Sequence, residues 1–230
     1  MSNVTIIGGH GKVALLAAPL LVEAGHTVRS IIRKEEQTAD VEATGAKAMV
    51  ADVEKLDENG IAEVLSGSDA VVWSAGVGGG DDERTWALDR DAAIRTMDAA
   101  RAVGVNRFIM VSFYGSRLVD GVFPGVDEGE TMYAYFNAKA QADDYLRIKS
   151  GLDWTVLGPT ELTLEEPTGK ITVAQLDESG TQTPATSRAN VARVVAAAVD
   201  NPASIGCTVN FYDGDTPIEK ALEQGVDYVG

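Results

Sequence analysis

A second cysteine is missing from this chain, and with it any intramolecular disulfide, because Cys207 stands alone. Only 2 histidines accompany it, and no Cys-x-x-Cys pair or Cys/His cluster supplies ligands, so no metal is expected. Basic residues are scarce too. The 19 Lys and Arg face 35 Asp and Glu, for a formal charge of -16 and a pI near 4.4. That balance excludes a broad electrostatic footprint for nucleic acid or an anionic membrane, and it predicts that the few cations gather where an anion must be held. No run of about 18 apolar residues occurs, and the N-terminus lacks a basic stretch followed by an apolar core and a cleavage site. A cytoplasmic protein without a membrane partner is the expectation. No linker, repeat or low-complexity tract divides the 230 residues. This length suits one α/β domain over 1–230, with 151–230 as its smaller portion.

What is present starts with the stretch 4–14, VTIIGGHGKVA. The β-branched run 4–7 reads as a buried parallel strand. From Val13 the apolar residues Leu16, Ala17, Leu20, Leu21 and Ala24 recur at helical spacing until Gly25 stops them. Between strand and helix, Gly9-x-Gly11-x-x-Ala14 fits the G-x-G-x-x-G/A fingerprint of a dinucleotide-binding turn, overlaid by Gly8-x-x-Gly11-x-x-Ala14. The first glycine permits the tight turn, Gly11 lets the backbone approach a pyrophosphate, and Ala14 leaves room for the helix to pack. The backbone of Gly8, Gly9, His10, Gly11, Lys12 and Val13 then meets the pyrophosphate with the helix N-terminus behind it. His10 either touches a phosphate or faces solvent.

A second strand, 27–32, ends in Arg33-Lys34. An acidic residue here would accept bonds from the ribose hydroxyls of NAD, whereas an arginine accommodates the 2′-phosphate, so NADP is expected and NAD is the alternative. A third strand, 46–51, leads into Asp52 and Val53 at a carboxyl strand end; Asp52 either lies beside the adenine or caps the helix that follows. The fourth strand, 70–74, runs into the glycine-rich Ser74-Ala75-Gly76, where the backbone can approach the cofactor again. A long helix is predicted over 83–103, with Trp86 in the core, and a fifth strand over 108–112 ends on Ser112. The irregular 113–132 reads as a mobile cover. In the helix 133–149, Tyr135 and Lys139 are four apart and face the same way. A sixth strand, 153–157, is followed by Pro159 and Thr160. Beyond it the pattern loosens into 171–174, a turn-rich piece, a helix over 190–199, a strand near 208–212 and a short helix near 217–222. The alternation predicts a Rossmann-type, doubly wound, mostly parallel α/β sheet, with the small C-terminal portion covering the substrate.

The turn, Ser112 and Tyr135-x-x-x-Lys139, in that order, resemble the short-chain dehydrogenase/reductase superfamily. The likeness is nearest to its atypical, NmrA-like NAD(P)-binding group, which includes the biliverdin reductase B type of flavin reductase. It extends over Val71 to Gly76, Asp89-Arg90-Asp91, Ala99 to Ser112, 140–159 (AQADDYLRIKSGLDWTVLGP) and Ser187 to Ala192. The resemblance implies an NADP-dependent oxidoreductase acting on a small carbonyl, quinone or flavin-like substrate, as a monomer or homodimer. It implies that Tyr135 is the general acid or base, that Lys139 holds the nicotinamide ribose and lowers the phenol's pKa, and that Ser112 orients the reacting carbonyl. Pro159 and Thr160 would border the nicotinamide. The chain departs from the group at Phe113, often a second serine, at Gly158, often an arginine, at Asn190, often an aspartate, and in the long insertion between Ser112 and Tyr135. These departures keep open a dinucleotide redox sensor without turnover and, more remotely, an NAD-dependent epimerase or dehydratase.

Overall fold

The apolar runs become strands that alternate between two helical layers. The computed structural model describes residues 1–78, 80–174, 184–224 and 226–227. Gly79 and most of the turn-rich piece, 175–183, therefore lie outside the described residues. Its strands are β1 (Asn3–Ile7), β2 (Thr27–Ile32), β3 (Lys47–Val50), β4 (Ala70–Trp73), β5 (Arg107–Val111), β6 (Asp153–Pro159), β7 (Leu162–Thr163), β8 (Lys170–Val173), β9 (Thr186–Ser187), β10 (Cys207–Asp213), β11 (Thr216–Pro217) and β12 (Val226–Asp227). The helices are α1 (Lys12–Glu23), α2 (Thr38–Glu42), α3 (Glu58–Leu65), α4 (Asp82–Thr85), α5 (Ala93–Ala102), α6 (Tyr133–Ile148), α7 (Arg188–Asp200) and α8 (Ile218–Leu222).

The main sheet runs β11-β8-β10-β6-β5-β4-β1-β2-β3, with β12 added to β10. From β3 to β10 every pairing is parallel, and β8, β11 and β12 pair antiparallel at the far edge. β7 and β9 form a separate parallel pair. This is the mostly parallel, doubly wound α/β architecture that the alternation predicts. Each central strand sends successive side chains to opposite faces. Ile6, Val72 and Ile109 join α1 and α7 residues such as Ala17, Leu21 and Val194 in one core. Ile7, Trp73 and Met110 join Ile61, Met97 and Leu146 of α3, α5 and α6 in the other. Burial on both faces explains why these strands read as continuous apolar runs.

The strand order reverses between β1 and β4, so a crevice opens at their carboxyl ends. Around it the sequence expectations need two adjustments. The helix over 83–103 is interrupted by a π-helical turn, Trp86–Ala92, between α4 and α5. Trp86 is half-buried, not in the core, and the Arg90 guanidinium lies 4.6 Å from its ring centroid. The stretch 113–132 is pinned to α6, because the Phe123 backbone N–H donates to Asn137 Oδ1 at 2.8 Å and the Phe123 ring stacks on Phe136 at 4.9 Å. Among the described residues, no helix is long and apolar enough to cross a membrane.

Candidate functional site

The glycine turn closes in an order slightly different from the sequence expectation. Gly8, not Gly9, takes the left-handed conformation, at φ 82°. A Cβ on Gly8 would come within 2.7 Å of the Ala75 backbone, and one on Gly9 within 2.5 Å of Ser30 Cβ. These two glycines therefore wedge the turn between β2 and the end of β4. Gly11 caps α1 without a side-chain hydrogen bond, and its own N–H donates to Gly8 O at 2.8 Å. The first-turn amides of α1 have no intrahelical acceptor and suit an anion. Gly8, His10 and Gly11 open onto a cleft of about 230 Å³ together with Arg33, Val53, Ser74, Ala75 and Gly76. A bare-backbone mouth, a helix N-terminus and a flanking guanidinium fit a dinucleotide.

Other residues predicted for this cleft face elsewhere. Gly9 is buried, the Lys12 side chain is exposed and Val13 packs into the core. Lys34 pairs with Glu36 at 3.1 Å on the surface. Asp52 pairs with Lys55 at 3.0 Å, and it is no helix cap, because Asp57 caps α3 by accepting from the Gly60 N–H. His10 Nε2 lies 2.8 Å from Asp40 Oδ2, which ties the ring to α2. Sequence reasoning passed over Arg84, which enters the cleft from α4 and makes a two-point contact with Glu54 at 2.9 and 3.3 Å. Glu54 also lies 4.0 Å from Arg33, so one carboxylate tethers both guanidiniums.

The loop after β4 joins this cleft to a second one. Ser74 to Val77 line the first, and Gly78 lines a cavity of about 520 Å³ with Ser112, Phe113, Tyr135, Phe136, Pro159 and Thr160. Four of the predicted residues thus meet here, at the carboxyl ends of β5 and β6. Lys139 is on the wall of neither cavity. It is buried behind Tyr135, its Nζ donating to Val111 O at 3.3 Å, 3.7 Å from Asp89 Oδ1 and 6.0 Å from the Tyr135 ring centroid. Burial draws the Lys139 pKa down, but the charges of Asp89, then Tyr135, then Asp143 outweigh it, and the net displacement is upward. Lys139 is therefore a cation at neutral pH.

Asp89 and Asp143 were unassigned in the sequence. Asp89 is 1% exposed and accepts from the Val77 N–H at 2.9 Å, while a Cβ on Gly76 would meet its Oδ1 at 2.8 Å. The carboxylate thus holds the loop after β4 and Lys139 together. Its signal was present, because Asp89 continues the apolar helical stripe of Ala93, Met97 and Ala100, where a carboxylate is out of place. Asp143 accepts from the hydroxyls of both Ser112 and Ser116. Two of the departures have steric and polar causes. Gly158 admits no arginine, since a Cβ there would lie 2.3 Å from Asn210 Oδ1 and 2.9 Å from Phe113 O. Asn190 is fully buried and its amide stitches Thr168, Lys170 and Asp213 together, a role in the fold.

Known proteins are similar to this chain along nearly its whole length. Residues 8–202 match the family described as NAD(P)H-binding. The uncharacterized sugar epimerase YhfK of Bacillus subtilis (strain 168) is 34% identical over 224 residues, covering 96% of this chain and 99% of the relative. A solved Bacillus halodurans structure, provisionally named an NAD-dependent epimerase/dehydratase, is 36% identical with a TM-score of 0.85, covering 97% of this chain and 100% of that one. The structure of the oxidoreductase ylbE from Lactococcus lactis is 29% identical with a TM-score of 0.81, covering 96% of this chain and 95% of that one.

Proposed function

The chain belongs to the NAD(P)H-binding family, and we propose that it is an NADP-dependent oxidoreductase of the atypical, NmrA-like short-chain dehydrogenase/reductase type. Its substrate would be a small carbonyl, quinone or flavin-like compound. The observation that carries this reading is a buried ammonium, Lys139, held behind a phenol that lines a cavity one loop away from the glycine turn. Gly8, Gly11 and the first-turn amides of Lys12 and Val13 would hold a pyrophosphate; Arg33, with Arg84 beside it, would hold a 2′-phosphate; and Val53 would border the adenine. When bound, the dihydronicotinamide supplies a hydride. Tyr135 gives a proton to the substrate oxygen. Lys139 keeps a positive charge behind the phenol as that proton leaves, and the aromatic wall of Phe113 and Phe136 excludes water.

The test is NADPH and NADH oxidation across a panel of carbonyl, quinone and flavin substrates, with Tyr135→Phe as the variant. Loss of the general acid lowers kcat by about 10²- to 10⁴-fold with carbonyl substrates, leaving NADPH affinity unchanged. Unchanged turnover would remove Tyr135 from the chemistry. The epimerase naming of two similar proteins favours a second reading, in which the dinucleotide stays bound and no net NADPH is consumed. A redox sensor would likewise consume none, yet bind NADP⁺ and NADPH with different affinities.

A further inference from the structure

Ser112 and Ser116 donate their hydroxyl protons to one oxygen, Oδ2 of Asp143. Asp143 is fully buried at 0% exposure and sits on α6, one turn beyond Lys139. A serine has one hydroxyl proton, and here both serines commit theirs to Asp143. Ser112 therefore has only lone pairs left for anything else, and it is Ser112 that lines the cavity beside Tyr135. Two further polar residues of the wall point the same way. Thr160 Oγ1 is engaged with Pro184 O at 2.7 Å and Thr186 Oγ1 at 2.8 Å, and the Glu161 carboxylate can only accept. Phe113, Met132, Phe136, Pro159 and Leu162 are its apolar part, and Gly78 and Tyr114 complete the wall. A carbonyl oxygen of a bound molecule placed against Ser112 would meet lone pair with lone pair, and a methyl group would leave the serine unpaired.

We propose that Asp143 is a positioning residue that fixes Ser112 as a hydrogen-bond acceptor, and that the substrate carries a hydroxyl or N–H donor close to its carbonyl. Ser112 then reads that donor and does not orient the reacting oxygen, which is left to Tyr135. This rests on the carbonyl-reductase reading above for the identity of the second cavity.

Isatin, a planar ketone with a lactam N–H, and N-methylisatin, which lacks that donor, form a matched pair. Their affinities are measured by calorimetry on the full chain saturated with NADP⁺. Isatin is expected to bind at least about tenfold more tightly, the weight of one net hydrogen bond. The preference disappears in Ser112→Ala and persists in Ser116→Ala, which leaves the bond between Ser112 and Asp143 in place. Asp143→Asn, whose amide can donate to Ser112 and release its proton toward the cavity, narrows the preference. A purely structural Asp143 would alter stability without altering this ratio, and the two serine variants keep the test decisive should Asp143→Asn fail to fold. Equal affinities, including no binding of either compound, overturn the inference, as does a preference that survives Ser112→Ala. If the preference is found but isatin is not reduced by NADPH, the reductase reading falls and donor recognition by Ser112 stands.

Discussion

Lys139 is the cation around which the buried polar groups of this protein are balanced. With Asp89 at 3.7 Å and burial nearly complete, each charge is tolerable only because of the other. The folded-state pKa lies above the ordinary lysine value of 10.5, because Asp89, Tyr135 and Asp143 together outweigh desolvation. A raised lysine binds its proton more tightly when folded. Its contribution to stability is therefore complete below pH 10.5 and is lost only as pH rises through the higher folded value. Removing the ammonium in Lys139→Met strands Asp89 and should cost about 3–5 kcal/mol at pH 7 to 9. Urea unfolding across an alkaline series should show that gap closing above pH 10.5, as the wild type loses the same charge. A gap that is constant with pH would mean that Lys139 contributes through packing alone.

At the scale of elements, legibility follows periodicity. Residues 27–32 are read from the sequence to their observed bounds, although Arg29 and Ser30 interrupt the run, because the apolar Val28, Ile31 and Ile32 that define it are all buried. The long helix is read as regular although a π-helical turn, Trp86–Ala92, lies in its middle. One extra residue per turn leaves no mark on a 3.6-residue pattern, and this turn carries Asp89 to Val77 and Lys139. The placing of the turn's glycines, Ser112 and Tyr135 at the carboxyl strand ends was legible; Asp89 stood out only as a carboxylate in an apolar stripe, and Asp143 not at all, since its partners Ser112 and Ser116, 31 and 27 residues away, leave no local signature. The same holds for 113–132. No spacing announces that Phe123 docks between Phe113, at 5.3 Å, and Phe136, at 4.9 Å, in a cluster that continues to Tyr135, 6.0 Å from Phe113. Phe123→Ala should therefore release this excursion while sparing the sheet. Amide exchange should quicken at Phe123 and its neighbours but not in β5, and KM for the carbonyl substrate should rise more than kcat falls. Identical exchange in the two proteins would show that the aromatic dock is not what holds the segment.

For the molecule as a whole, the local and global charges oppose each other. The chain carries a formal charge of -16, while the first cleft presents Arg33 and Arg84, tethered by Glu54. A polyanionic dinucleotide approaching from solution first meets the field of the whole surface, which repels it, and reaches the two guanidiniums only within a few ångströms. Salt screens the first interaction over about 8–10 Å at moderate ionic strength and affects close, partly buried contacts much less. Association of NADPH should consequently speed up as salt rises from about 10 to 150 mM, the reverse of what a basic binding face gives. Dissociation should change little over the same range. Stopped-flow NADPH fluorescence reads both rates. Arg33→Ala should raise the dissociation rate at every ionic strength and leave the sign of the salt effect on association unchanged, because one charge in the cleft hardly alters the surrounding field. An association rate that falls with salt would place the governing electrostatics in the cleft itself and not in the acidic surface around it.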